Sequence, residues 1–367
     1  MHRGVVAEID LAAAAANLRT VKGLSGRSSV IAVVKADAYG HGASEVSRAV
    51  LAAGADYLAV AFTNEAATLR EAGITAPIIV LFDSDPEDVV RYNLIPVLTS
   101  RKHARALALE AERREVRIPV HIKVDTGMGR LGLTGSPVEE ILGVAAEKWL
   151  LVEGVMSHLS EADLSDPSFT RGQLSAFNTL KSELLQKGLH VKMFHIANSA
   201  ATMNIPEARL DAVRPGLMLY GYSSCAGGVA AADLQPVMAA HTRLISVRRL
   251  RAGTPVSYAR TFVTKRESLI GVAAVGYADG FNTRFSNNAQ VLLRGKRAPV
   301  VGRVCMDLTM IDVTEIGDVS ENDEVAIIGR QGAEFIGADE LAKRIGTIPY
   351  EILTSIGSRA RRAHINL

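Results

Sequence analysis

Val30-Ile31-Ala32-Val33-Val34-Lys35-Ala36-Asp37-Ala38-Tyr39-Gly40-His41-Gly42 sets an ammonium group at the end of an apolar run. The run is rich in Val and reads as a fully buried strand. Burying an unpaired charge is expensive, so a lysine at that point needs a reason. A low-dielectric setting lowers the pKa of a lysine and makes its amine a nucleophile able to form a Schiff base. Gly40-His41-Gly42 then turns the chain into a helix. Tyr39 and its neighbouring amides should lie at that helix start, a place suited to an anion. The plainer reading of Lys35 is a side chain snorkelling from a strand end to solvent. For an isolated lysine the plainer reading wins, so the rest of the chain decides.

Outward from this stretch, short apolar runs alternate with amphipathic, Ala-rich segments. Strands are expected at Val30–Val34, Tyr57–Ala61, Ile78–Phe82, Ile95–Leu98, Val120–Val124, Val152–Ser157, Val191–Ile196 and Asp211–Arg214. Helices are expected between them, as at Gly42–Ala53, Asn64–Glu71, Arg101–Arg114 and Thr170–Lys187. Such alternation implies a parallel sheet. Eight strand–helix units fit a (β/α)8, TIM-like barrel of roughly 250 residues. An open doubly wound sheet is the alternative, but it favours a Gly-rich fingerprint after the first strand, which is missing.

From about Ala239 short runs rich in Val, Ile, Thr and Gly take over: Thr242–Val247, Leu269–Val275, Gln290–Leu293, Ala298–Val304, Met310–Val313 and Glu324–Ile328. Turn signals separate them, which reads as a mostly antiparallel β domain. The expected division is an α/β barrel over 1–235 and a β domain over 236–367. Cys225–Gln235 would be the linker, and residues 1–8 would be free to pair with the second domain.

Composition excludes little but is consistent. The chain has 367 residues, 48% hydrophobic and 22% charged, which is ordinary for a soluble globular protein. A formal net charge of +2 gives no electrostatic case for nucleic acid or an anionic membrane. Cys225 and Cys305 make no disulfide framework, and no Cys/His cluster has zinc spacing, so no metal is expected. The N-terminal stretch is interrupted by Glu8 and Asp10, unlike a secretory signal. Leu11–Ala16 suits a helix behind an Asp10 cap. No apolar run approaches membrane-spanning length, and the cytoplasm is the default location.

The polar residues that follow the strands carry the chemistry. Lys35, Arg130, His158, Asn198-Ser199 and Arg214 all fall at or just after expected strand ends. That face is where barrel enzymes gather their active sites. In Lys123-Val124-Asp125-Thr126-Gly127-Met128-Gly129-Arg130-Leu131-Gly132 the glycines allow turns that present Arg130, a five-donor fork suited to a phenolate or carboxylate. A solvated arginine in a Gly-rich loop is an equal reading of that motif alone. His158 ends the sixth strand, and His195 is assigned to the core. Ser199 is a capping residue by type. The loops after strands seven and eight, with Pro215 and Gly216, are where barrels tend to bind phosphate. A reactive lysine, a phosphate cradle and a buried arginine in one barrel mouth point to pyridoxal 5'-phosphate.

The chain resembles the alanine racemases. Val34-Lys35-Ala36-Asp37-Ala38-Tyr39-Gly40-His41-Gly42 is similar to their cofactor-lysine motif. The resemblance continues through Lys123–Gly132, His158, Asn198-Ser199, Arg214-Pro215-Gly216, Val256-Ser257-Tyr258, Val275–Gly280, Gly302–Asp307 and Pro349-Tyr350-Glu351, nearly end to end. It implies an isomerase that interconverts L- and D-alanine for peptidoglycan, working as a cytoplasmic homodimer with shared active sites. In that family the residue matching Lys35 holds the cofactor and is the base on one face of the substrate. The match of Tyr258, from the partner subunit, is the base on the other. Two faces need two bases, because a single base on one face preserves configuration.

The resemblance also implies that Arg214 faces the cofactor's ring nitrogen. An arginine does not readily give up a proton, so that nitrogen should stay unprotonated and the cofactor should be a weaker electron sink. His158 would pack on the ring. Tyr39, Ser199, Tyr350, Gly216 and Leu217 match phosphate-binding positions, with Asn198 beside them. Arg130 would reach the cofactor phenolate and the substrate carboxylate, and Met306 of a second copy would bind that carboxylate through its backbone amide. Tyr277 matches an entrance residue that narrows the site for a small substrate. Lys123 matches a lysine often carbamylated, whose negative charge would hold Arg130. One departure is Ala259, where the family usually has Gly, which matters if that backbone needs φ > 0. Decarboxylases of similar architecture lack the tyrosine base, and barrel-only cofactor-binding proteins lack the β domain. A racemase of larger amino acids is a further alternative, against which Tyr277 and Tyr350 favour a small pocket.

Overall fold

The computed structural model describes residues 4–223 and 234–366. Cys225 and most of the expected linker lie outside the described residues. The chain opens with β1 (Val6–Asp10) and α1 (Leu11–Ser25), then β2 (Ser29–Val33), α2 (Lys35–Gly40) and α3 (Ala43–Ala52). Strict alternation follows: β3 (Tyr57–Phe62), α4 (Thr63–Glu71), β4 (Ile78–Asp83), α5 (Pro86–Arg91), β5 (Ile95–Leu98), α6 (Arg101–Arg113), β6 (Ile118–Lys123) and α7 (Pro137–Ala145). It ends with β7 (Leu150–Met156), α8 (Ser168–Gln186), β8 (Met193–His195), α9 (Ser199–Asn204) and β9 (Ala212–Val213). Asp10 does cap α1, its Oδ1 accepting the Ala13 N–H at 2.9 Å.

Strands β2 to β9 pair in parallel in the order β8-β7-β6-β5-β4-β3-β2-β9. The two ends meet. Asp211 N–H donates to Phe194 O at 3.2 Å, and Phe194 N–H donates to the Asp211 carboxylate at 2.8 Å. Arg214 N–H reaches Ala197 O at 3.0 Å. This is the (β/α)8 barrel expected from the alternation. Its strands read as continuous apolar runs because both faces are covered, as for Ile31, Leu58, Ile79 and Val80, all with no exposed surface.

Several expected elements differ. Helix α3 starts at Ala43, so Tyr39 is not at its start and lies instead in the separate turn α2 (Lys35–Gly40). The strand expected at Val191–Ile196 shortens to β8, because the backbone beyond His195 turns aside to serve Arg214 through Ile196 O and Ala197 O.

The rest of the described chain comprises β10 (Met238–Leu250), β11 (Pro255–Val256), β12 (Phe262–Val263), β13 (Ser268–Ala273), β14 (Gln290–Leu293), β15 (Lys296–Pro299), β16 (Thr309–Asp312), β17 (Glu324–Gln331), β18 (Glu334–Ile336), α10 (Ala338–Ile345), α11 (Pro349–Arg359) and β19 (Arg361–Ile365). The main sheet runs β15-β14-β17-β10-β1-β19, with β13, β16 and β18 attached. Only the β1–β19 pairing is parallel among its described ladders. The strand expected over Ala298–Val304 stops at Pro299, which has no N–H to donate, and Gly302 turns the chain at φ +78°.

By compactness the described chain forms two units, one of Ala14–Ala38 with 43–223 and 234–235, the other of 4–13, Tyr39–Gly42 and 236–366. Within the second unit α11 grips Gly40. A Cβ on Gly357 would lie 2.2 Å from Gly40 O, and one on Gly40 would lie 2.7 Å from Leu353 O. Arg362 Nε also donates to Gly40 O at 3.1 Å. Gly357→Ala should therefore force the backbones apart and lower stability by about 1–3 kcal/mol, as overpacking does. The urea unfolding midpoint of purified protein measures it.

Candidate active site

Lys35 leaves β2 where the backbone reverses hand. Ala36, Asp37, Ala38 and Tyr39 have φ of +52°, +52°, +52° and +55°. Ala38 N–H closes the turn on Val34 O at 2.9 Å. A left-handed turn of non-glycine residues costs roughly 1–2 kcal/mol per residue. Such strain persists where surrounding contacts over-determine it, and it gathers at functional sites. Two carboxylates help to hold the turn: Glu65 accepts the Ala36 N–H at 2.6 Å and Asp37 accepts the Ala43 N–H at 2.7 Å.

The Lys35 ammonium lies 5.0 Å from the centre of the Phe82 ring, and the Arg130 guanidinium lies 5.5 Å from the same ring. Burial first, then the Arg130 charge, pull the Lys35 pKa below the ordinary lysine value, against an opposing pull from Glu65. Lys123, the last residue of β6, is 2% exposed. Burial and the charges of Arg130 and Arg214 bring its pKa down to about 8. Arg130 sits in a loop organised by Asp125, whose carboxylate accepts the N–H groups of Gly127, Met128 and Arg130.

Arg214 is 4% exposed and makes no ion pair among the described residues. Its Nη1 donates to His195 Nδ1 at 2.8 Å. Its Nη2 donates to Ser157 O at 2.6 Å and Ile196 O at 3.1 Å, and lies 3.3 Å from His158 Nδ1. The Nε–H has no partner among the described residues. Because arginine only donates, His195 Nδ1 must accept and its Nε2 must carry the proton. That proton goes to His121 Nδ1 at 2.9 Å, which leaves a buried His121 Nε2–H unpartnered among the described residues. Gly154 makes room for this ring, since a Cβ there would meet it at 2.9 Å. His195 is thus buried as expected of a core residue, but it also holds Arg214.

Ser199 is not the helix cap. Asn198 caps α9, its side-chain oxygen accepting the Ala201 N–H at 3.0 Å. Ser199 Oγ instead accepts the N–H groups of Gly216 at 2.9 Å and Met218 at 3.4 Å, tying α9 to the turn at Leu217. The barrel unit therefore gathers Lys35, Lys123, Arg130, His158, Asn198, Ser199, Arg214, Gly216 and Leu217 at the C-terminal ends of its strands.

The remaining residues belong to the other unit. The Tyr39 and Tyr350 rings are 5.5 Å apart, and burial followed by Tyr350 pushes the Tyr39 phenol up, so it keeps its proton. Tyr258 and Tyr277 line one open cavity of about 550 Å³ together with Asn287 and Arg303. Tyr258, Tyr277 and Met306 are 69%, 45% and 54% exposed. Tyr258 sits in the β11–β12 hairpin between Ser257 (φ +65°) and Ala259 (φ +55°). Residue 259 thus does adopt the glycine-favouring conformation.

The chain matches the alanine racemase N-terminal domain over residues 9–224 and the alanine racemase C-terminal domain over residues 237–364. The chain belongs to the alanine racemase family. An alanine racemase of Thermodesulfovibrio yellowstonii is 51% identical over 369 residues, covering 100% of this chain and 99% of the relative. Among solved structures, the alanine racemase of Streptomyces coelicolor superposes with a TM-score of 0.94 at 36% identity, over 99% of this chain and 98% of that one. The alanine racemase of Bartonella henselae, solved with covalently bound pyridoxal phosphate, gives 0.90 at 29% identity, over 99% and 100%. Proteins of this family are isomerases, and the chain is an enzyme of that class. No helix among the described residues is long and apolar enough to cross a membrane.

Phe82, Glu65 and the His195–His121 pair escaped the sequence reading. Phe82 closes an expected strand and looked like core. The acidic third residue of a helix and a histidine in a strand have ordinary explanations as well.

The buried imidazoles set an acid limit. Burial holds His121 down to about 4, and burial with the Arg214 charge holds His195 and His158 well below the usual imidazole value. In the unfolded chain all three take up protons below about pH 6.5. The unfolded state then binds more protons than the folded one, so stability falls as pH drops from 6.5 toward 4. Urea midpoints measured across that range should decline, and the decline should be shallower in His121→Gln.

Proposed function

We propose that the chain interconverts L- and D-alanine with pyridoxal 5'-phosphate, using Lys35 on one face of the substrate and Tyr258 of a second copy on the other. The observation that carries the reading is full-length likeness, at 51% identity, to a relative named alanine racemase. The site fits that cofactor on its own terms. Lys35 has a lowered pKa, Arg214 has an unpartnered Nε–H, and Ser199 gathers the amides of Gly216 and Met218. When bound, the cofactor acidifies the proton on the substrate α-carbon.

Lys35 would hold the cofactor through Nζ and move a proton at that atom, and a lowered pKa leaves its amine neutral more often. Arg214 Nε–H would face the ring nitrogen and keep it unprotonated, since the guanidinium does not give up its proton. His158 would lie against the ring. Tyr39, Tyr350, Ser199, Asn198, Gly216 and Leu217 would hold the phosphate, with Tyr39 donating as a neutral phenol. Arg130 and the Met306 amide of a second copy would bind the substrate carboxylate, and Tyr277 would restrict the pocket to a small side chain.

Lys123 would react as the neutral amine with carbon dioxide, releasing a proton and leaving a carbamate that pairs with Arg130. A pKa of about 8 makes that amine available. We further read the chain as a cytoplasmic homodimer that supplies D-alanine for peptidoglycan, with a barrel domain over 1–235 and a β domain over 236–367, with which residues 1–8 pair.

Incubation with L-alanine in D2O should yield both enantiomers with deuterium at Cα, and Lys35→Ala should abolish the visible absorbance of the purified protein. Release of carbon dioxide instead would sink the racemase reading. Lys35→Ala and Tyr258→Phe should each be nearly inactive alone, while a mixture refolded together should regain part of the activity. No recovery would show that the two residues act within one copy.

A further inference from the structure

Glu65 touches the chain at the residue that follows Lys35. Its Oε1 accepts the Ala36 N–H at 2.6 Å, while its Oε2 accepts those of Ala61 at 2.6 Å and Phe62 at 3.2 Å. One carboxylate therefore ties the end of β3 to the first amide of the left-handed turn, across two strands paired from Ile31–Tyr57 to Val33–Ala59. We propose that Glu65 is the positioning residue for Lys35: by holding the Ala36 amide it fixes the direction in which the lysine leaves β2. The inference rests on the role given to Lys35 above.

Helix capping alone does not account for this contact. Glu65 is the third residue of α4 and reaches back to the N-cap residue Phe62, as in one half of a capping box. That explains the Phe62 bond and its neighbour at Ala61. It does not explain Ala36, which lies 29 residues earlier.

The two readings separate on chemistry, because Gln serves a capping box as well as Glu does. Three amides facing both atoms of the side-chain head need two acceptors, and only a carboxylate offers two. A glutamine with its oxygen toward Phe62 would set its own N–H2 against the Ala36 N–H. Turned the other way, it would abandon Ala61 and Phe62. The Glu65 charge also acts on Lys35, opposing the burial that favours the neutral amine.

The test is Glu65→Gln in the full-length, cofactor-loaded protein. The melting temperature should be little changed, since the cap survives. The kcat for alanine should fall about tenfold or more in both directions with little change in KM, because misplacing a reacting group has that effect. Hydrogen exchange at residues 36–39 should accelerate, and the visible circular dichroism of the bound cofactor should change. Wild-type kcat, exchange and dichroism in the variant would overturn the proposal and leave only the cap. If the variant does not fold, the wild-type chain decides: its Ala36 amide should exchange as slowly as that of Ala61, and fast exchange overturns the proposal. A wild-type chain that failed to exchange the alanine α-proton would sink the racemase reading while leaving the exchange result to stand or fall alone.

Discussion

A guanidinium buried without a carboxylate is the constraint on which the barrel interior is built. Arg214 is 4% exposed, and each group that meets it is neutral: two imidazoles and two carbonyls. A buried cation is costly unless it finds acceptors, and Nη1 and Nη2 both find them. That requirement travels outward. It fixes the tautomer of His195, then that of His121, and it needs a residue without a side chain at Gly154. It also cuts β8 short, because Ile196 O and Ala197 O are drawn to Arg214 instead of a neighbouring strand.

Backbone strain marks both groups of proposed catalytic residues. Lys35 precedes four left-handed residues, and Tyr258 is flanked by Ser257, Ala259 and Arg260, all with positive φ. Each strained stretch is held by hydrogen bonds that reach residues beyond it. Glu65 and Asp37 hold the first. The Ser257 hydroxyl holds the second, donating to Arg303 O at 2.6 Å, while Gly302 allows close approach: a Cβ there would meet that of Ser257 at 2.7 Å. Strain of this kind fixes a side chain's direction only when the clamps outweigh it. The clamps are therefore as much part of the site as the residues they aim.

The barrel was legible because a strand buried on both faces leaves a continuous apolar signature, and Val30–Val34 and Ile78–Phe82 carry it plainly. The site was legible where a polar residue interrupts that signature, as at Lys35 and Arg214, while Lys123 was picked out only through the resemblance. The left-handed turn was not legible. Ala36, Asp37, Ala38 and Tyr39 carry no glycine, and one contact that holds them comes from Glu65, 29 residues along the chain. Ser199 misled for the converse reason. Its type suits a cap, but the adjacent Asn198 took that place and freed the hydroxyl for Gly216. Glu65 has two functions at one position, and local sequence reports only the nearer one.

The exposure of the two proposed bases bears on how the reaction could run. A base must come within hydrogen-bond reach of the proton it takes, in a place from which water is excluded. Lys35 goes part of the way to the second condition within its own barrel, half-buried beside the Phe82 ring. Tyr258 does not: 69% of it is exposed, beside an open cavity with Tyr277 and Arg303. If Tyr258 is the second base, as proposed, a strained loop that presents it to solvent has no catalytic use until another surface covers it. Met306, at 54% exposed, is in the same position. On the proposed reading a second copy of the chain supplies that cover, and the strain at Ser257 and Ala259 is then the means by which Tyr258 is aimed before the two copies meet.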